Sequence, residues 1–397
     1  MGMAKRQLEN GYISLGEKYV CRECIKDYAI QDFIEGELEE DICSYCGKTS
    51  NSGPIAAKMD NIINFIIHGI QSEWDDPRNC MAWESKEGGW IGAEVLDIYD
   101  LLFYTIGLEI ENDELRDDIA QSILQDEWCK ADPYGMTKQE EWYLDWEDFS
   151  NQVKYKVRYI FYKIKRKKRK YYEKDKEPHE ILDQLGLLIK DLNLIRSIPK
   201  GSIIYRARAH KGNKWFSNVE DLGPPKDAKQ PNRMSPAGIP MFYGSLDENT
   251  AITETRDIKK YITVAAWKTL KKLNILDLTE LPYIPSIFDQ DRYYLRSSII
   301  FLHSFLRDFS KPIEKDGREH IEYVPTQIVT EYFRHIFRDE RGKKIQGIIF
   351  PSSLIPGSKS CVLFFHSEDC TECNLKVEGS HKPSLRLITS SIKRIKL

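Results

Sequence analysis

Apolar positions along the chain change their spacing twice. From Trp142 through Trp146, Phe149, Val153, Val157 and Ile160 to Ile164 they recur at threes and fours, which predicts one long helix with a single apolar face. Ile181, Leu185, Leu188, Leu192 and Ile195 repeat the pattern and predict a second helix, so the stretch from about Asn51 to Ile198 reads as helical. These stripes are core and imply no cofactor. At Pro199-Lys200-Gly201 the pattern stops, and SIIYRAR begins a strand behind a turn signal. Beyond it, strand-like runs (YITVAAW, QGIIFP, CVLFF, LRLIT) mix with helical ones (NTAITETRDIKKY, YYLRSSIIFLHSFLRDF, TQIVTEYFRHIFRD), the pattern of an α+β domain. Three units are expected: 1–53, 54–200 and 201–397.

The first unit is organised by cysteine. In VCRECIKDYAIQDFIEGELEEDICSYCGK, Cys21, Cys24, Cys43 and Cys46 form two C-x-x-C knuckles, a spacing that brings four thiolates around a tetrahedral Zn²⁺. Four thiolates leave no open position for a substrate, so the site is structural, and its metal is expected to supply the folding energy that so small a segment lacks. Nine cysteines, an odd number, fit a reducing compartment better than a disulfide framework. Cys370 and Cys373, with His366 or His381, are a weaker second metal candidate because the spacing is unusual.

Charge narrows the partners. A net charge of −4 over 397 residues gives no global attraction to nucleic acid or an anionic membrane. The local exception is KIKRKKRK, Lys163 to Lys170, where phosphate contacts compete with the simpler reading of a solvated helix end facing the acidic EEWYLDWED upstream. The N-terminus has no apolar signal region, Arg6 stands where a myristoylation motif needs Ser or Thr, and NIINFIIHGI is too short to span a bilayer. A cytoplasmic protein without a membrane partner is expected.

Candidate chemistry gathers in the last unit. Arg206 lies within the apolar SIIYRAR, Glu254 follows the aliphatic TAIT in a helix starting near Asp247, and Ser352 follows the strand GIIFP. Each stands at or near the end of an apolar element, where a cleft can form. With YRAR (Tyr205 to Arg208), RMSPAGIPMFYGS (Arg233 to Ser245), TAITE, YVPTQ (Tyr323 to Gln327) and GIIFPSS (Gly347 to Ser353), this second half of the chain resembles the RES domain. The zinc knuckle and helices before it look like the HEPN/RES region that accompanies some RES domains.

The resemblance implies a fold similar to ADP-ribosyltransferases and a toxin that destroys NAD⁺ at the bond between nicotinamide and ribose. NAD⁺ would be a substrate, since no GxGxxG or GKS/GKT loop is present. It further implies a toxin–antitoxin or anti-phage defence setting, an antitoxin that blocks the cleft, and helices that serve as a regulatory or oligomerisation module. Cleavage passes through an oxocarbenium-like state and needs little proton transfer, so positioning and charge stabilisation carry the rate. Arg206 suits the pyrophosphate, with Arg208 on the same strand face as its rival and Arg233 as reinforcement; Glu254 suits the ribose cation. Tyr243 suits stacking or the ribose, Ser352 (or Ser353) orientation, and Gln327 is a lesser ligand contact.

Bland alternatives stand beside these: an Arg206–Glu254 buried ion pair, a core Tyr243, and Pro325 beginning a helix. Water, phosphate or a macromolecule is the acceptor. Ile252 stands where many arginine-modifying transferases carry a second glutamate. The likeness to HEPN ribonucleases, which usually bear an arginine four to six residues ahead of a histidine, does not extend to that pair, because neither His68 nor His179 has an arginine at that spacing.

Overall fold

The computed structural model describes residues 11–86, 88–163, 177, 179–212, 215–255, 261–311, 317–372 and 382–396. Contacts divide the chain into two compact units, one of residues 1–138 with 283–300 and one of residues 139–282 with 301–397. Beyond Lys163 the basic run lies outside the described residues, as do Cys373 and His381.

In the first unit, β1 (Tyr19–Cys21), β2 (Leu38–Glu40) and β3 (Ala56–Lys58) form an antiparallel sheet in the order β1-β3-β2. Helix α1 (Tyr28–Gly36) starts where the Asp27 carboxylate accepts the amides of Ala29 and Ile30. Helix α2 (Met59–Ile70) buries Met59, Ile62, Ile63, Ile66 and Ile70, and α3 (Asp113–Ser122) is capped by Asn112. Val20, Cys21, Ile25 and Cys43 share one core with these helices and with Phe288. A Cβ on Gly69 would come within 2.3 Å of the Phe288 ring, so only glycine allows that approach. The cysteine knuckles therefore do not part from residues 54–138 as expected. Nor is that stretch wholly helical: Trp74–Asp75, Leu96–Asp97 and Glu127–Lys130 make a second small sheet.

The second unit begins earlier than residue 201. Helix α4 (Lys138–Tyr155) buries Trp146, Phe149 and Val153. It closes where the amides of Lys156 and Val157 both donate to the Gln152 carbonyl, and Phe161 turns back edge-on to Phe149 at 5.7 Å. The single helix expected to reach Ile164 is thus cut short, leaving Ile160 54% exposed. Helix α5 (Glu180–Asp191) ends just before Asn193, whose φ of 49° turns the chain. Ile195 consequently opens strand β4 (Ile195–Ile198), not another helical turn.

The strands and main helices that follow are β5 (Ile203–His210), α6 (Val219–Leu222), β6 (Phe242–Ser245), α7 (Glu248–Thr255), β7 (Tyr261–Thr269), β8 (Leu273–Asp277), α8 (Arg296–Ser310), α9 (Val324–His335), β9 (Gly347–Pro351), β10 (Lys359–Leu363), β11 (Cys370–Thr371), β12 (Leu385–Leu387) and β13 (Lys393–Lys396), with a short helix, Glu319–Glu322, ahead of α9. Ten strands form one mixed sheet, β11-β12-β7-β5-β6-β10-β9-β8-β4, with β13 also on β7. Alternation along its strands feeds two cores. Leu276, Ile348 and Val362 pack with Phe149, Leu185, Phe305 and Phe333 of the helices, whereas Ile275, Leu363 and Ile204 pack with Phe242 and Trp267. Each such side chain contributes roughly 1.5–3 kcal/mol on burial. This is the α+β architecture expected of residues 201–397. No helix among the described residues is long and apolar enough to cross a membrane.

Candidate active site

The sheet opens at one place. Strand β5 pairs with β7 from Ile203 to His210 but with β6 only at Tyr205 and Ser245, so the two strands splay beyond that pair. Arg206 spans the gap. Its Nη1 donates to the Tyr243 carbonyl at 2.6 Å, and its Nε and Nη2 donate to the carbonyls of Leu222 (2.9 Å) and Gly223 (3.5 Å). Its Cζ lies 5.1 Å from the Phe242 ring centre. The residue is only 8% exposed, and burial pushes its guanidinium down to about 9, which leaves it a cation at neutral pH.

A cleft of about 470 Å³ occupies the splay, a volume typical of small-molecule sites. Arg206, Arg208, Tyr243 and Glu254 all line it. Arg206 and Glu254 form no ion pair; Arg206 is satisfied by carbonyl dipoles, with one N–H of each terminal nitrogen left over. Arg208 gives one bond to the Asp221 carbonyl and keeps more free donors. Burial lowers its pKa and Asp221 opposes that shift. Burial pushes the Tyr243 phenol up to about 12, so the group is a neutral hydroxyl at physiological pH, 2.9 Å from Ser235 Oγ.

Glu254 stands in the last turn of α7. Asp247 begins that helix by accepting the Thr250 amide, and at its end the Thr255 hydroxyl donates to the Ala251 carbonyl at 2.8 Å, with the Ala207 carbonyl of β5 3.4 Å away. Glu254 is exposed. The Ser352 hydroxyl donates to its Oε1. Ser352 is held in a turn, since its Oγ accepts the amides of Leu354 and Ile355, each at 3.2 Å, and its own amide donates to the Ser358 carbonyl. Its neighbour Ser353 is exposed.

Residues 203–386 match the family model of the RES domain, and residues 36–167 match that of HEPN/RES N-terminal domain 1. The chain carries a RES domain. No curated protein and no solved structure matches it. The RES family is associated with toxin-like enzymes that act on NAD.

Other expected site residues lie around the RES cleft rather than on it. Arg233 donates to the Phe309 carbonyl in the last turn of α8 at 3.0 Å; burial lowers its pKa, and the nearby Tyr323 and the Glu254 carboxylate oppose this. Gln327, buried in α9, donates to the carbonyls of Asn232 and Ser235, so it braces the turn behind Tyr243. Asn232, Ser235, Thr255, Ser360 and Cys361 also line the cleft. Of these only Ser235 lies in the RMSPAG turn that the sequence singles out.

The four knuckle cysteines converge in the other unit, their Sγ atoms all within 4.8 Å of one another. Cys21 to Cys24 is 3.7 Å, Cys21 to Cys46 is 3.6 Å and Cys24 to Cys43 is 3.7 Å. A tetrahedral ion with metal–sulfur bonds of about 2.3 Å needs sulfurs about 3.8 Å apart. The Cys21 amide also points at Cys43 Sγ at 3.3 Å, a donor suited to a thiolate. The four thiols fit one metal ion.

Proposed function

We propose that the RES unit binds NAD⁺ and cleaves the bond between nicotinamide and ribose, and that the four-cysteine site holds a structural Zn²⁺. The observation that carries the first reading is a cleft with two arginines and one exposed carboxylate on its walls, the carboxylate fixed by Ser352 and linked to neither arginine. Breaking the bond releases neutral nicotinamide and leaves positive charge on the ribose. Glu254 meets that charge only as it develops, which is what lowers a barrier. Arg208 and the spare N–H groups of Arg206 hold the pyrophosphate, each charged contact contributing roughly 1.5–3 kcal/mol. Neutral Tyr243 positions a ring or the ribose. Water or inorganic phosphate takes the ribose carbon; a protein arginine is disfavoured because Ile252 offers no second carboxylate.

Incubating the purified chain with NAD⁺, with and without phosphate, and following nicotinamide by chromatography tests the reading. Nicotinamide release is expected, with ADP-ribose or its 1-phosphate as the other product; intact NAD⁺ after prolonged incubation would end it. In cells, expression is expected to depress NAD⁺ and arrest growth unless a regulatory protein caps the cleft. The N-terminal unit is proposed as the regulatory or oligomerisation part.

Ser352 acts through Glu254, so Ser352→Ala is expected to lower kcat about tenfold with KM little changed, as an unheld carboxylate samples other rotamers. Ser352→Thr, which keeps the hydroxyl, should recover most of the rate. An alanine variant as fast as wild type would show that the hydroxyl merely closes a turn.

A further inference from the structure

Strand β4 is the outermost strand of the large sheet, four places from β6, and a second cleft of about 660 Å³ opens beside it. Five cationic side chains line it: Lys190 from α5, Lys272 at the start of β8, and Arg341, Lys343 and Lys344 from the turn after α9. None of the five forms an ion pair among the described residues. Two carboxylates share the lining, Asp339 and Glu340. Asp339 is already committed: it accepts the amides of Arg341 (3.0 Å) and Lys343 (2.7 Å) and the side-chain amide of Asn274 (3.3 Å). Its backbone closes the same turn through the Asp339 amide to the Lys343 carbonyl and the Gly342 amide to the Asp339 carbonyl, each 2.9 Å.

Three cations of that turn, Arg341, Lys343 and Lys344, are exposed along the cleft, and Gly342, with φ of 71°, permits the turn. Lys190 is placed by the Phe337 ring, its Nζ 5.5 Å from the centroid. The field reaches beyond the cleft: His335 is held below its ordinary pKa by burial first, then by the cations Arg334, Lys344 and Arg338. Like charges gathered from three elements around one hollow repel one another until an anion enters. Cations from three elements line this one hollow, with Ile189 and Ile195 beside them, and a dense cluster of negative charge meets them all at once.

We propose that this cleft binds a ligand carrying two or three adjacent phosphates, separate from the NAD⁺ site, whether free in solution or at the 5′ end of an RNA. Calorimetry on the full chain with inorganic tripolyphosphate should show binding that weakens as salt rises. The triple change Lys272→Ala, Lys343→Ala, Lys344→Ala removes only exposed side chains and should weaken it tenfold or more, leaving NAD⁺ cleavage without ligand unchanged. A short 5′-triphosphate RNA binding more tightly than tripolyphosphate assigns the source to a strand end; weaker or equal binding assigns it to a free polyphosphate. No tripolyphosphate binding, a triple variant that binds within twofold of wild type, or a 5′-hydroxyl RNA that binds as well as the triphosphate form would overturn the proposal.

Discussion

Replacing Glu254 by glutamine is expected to lower nicotinamide release by about 10²–10³-fold, the range seen when one preorganised stabilising group is removed. Glutamine keeps the shape and an oxygen that can accept the Ser352 hydroxyl, so the side chain stays in place and only its charge is lost. Ground-state NAD⁺ has no full cation at the ribose carbon, so KM should move little while kcat carries the loss. Glu254 is exposed, so the melting temperature should be unchanged, its stability effect lying within about 0.5 kcal/mol. Steady-state kinetics and a thermal melt on the same preparation separate chemistry from folding. A glutamine variant within threefold of wild type would remove Glu254 from the mechanism and leave the cleft as a binding site alone.

The same glutamate shows what the chain discloses locally and what it conceals. TAITE names a carboxylate at a helix end, and YRAR names a cation in an apolar strand, because each signal lies within a few residues. That Glu254 would accept a bond from a serine 98 positions later, or that Arg206 would bridge two splayed strands through carbonyls, depends on sheet order, which no local pattern encodes. The anchor question, Arg206 or Arg208, resolves geometrically into a deeper residue largely engaged with backbone and a shallower one with freer donors. The motifs around Arg233 and Gln327 point to ligand groups, yet both side chains serve backbone carbonyls. A polar residue in a conspicuous motif is as often holding the turn that makes the motif.

The helices tell a similar story. The stripe from Trp142 to Ile164 states that a face is to be buried, not against what or for how long, and Phe161 finds Phe149 by reversing the chain. The grouping of residues 139–200 with the second unit is hidden for the same reason. Trp146, Phe149 and Leu185 are apolar in any context, and only the sheet's own apolar face assigns them to the second unit. Residues 283–300 leave that unit and return to it, an excursion marked by no shift in composition.

Cysteine spacing was more legible because a metal site is set by chemistry as well as by packing, and it carries the second large effect. Removing the metal with a strong chelator, or changing Cys43→Ser, is expected to unfold the first unit. Metal binding to such sites contributes on the order of 10 kcal/mol, comparable to the whole stability of a domain. Cys21 and Cys43 are buried in the same core as Val20, Ile25 and Tyr45, so four thiols stripped of their ion would repack that core, not merely relax a surface loop. Elemental analysis should find one zinc per chain, released together with the loss of helical circular dichroism and restored by added Zn²⁺ with release of protons as the thiols ionise. Lys48→Ala, which removes only a surface pair with Glu23 beside the knuckle, should leave metal content and melting close to wild type and so controls for nonspecific damage. Protein purified without metal, or a melt indifferent to chelator, would leave the cysteines as an ordinary buried cluster and require the first unit to stand on its apolar core alone.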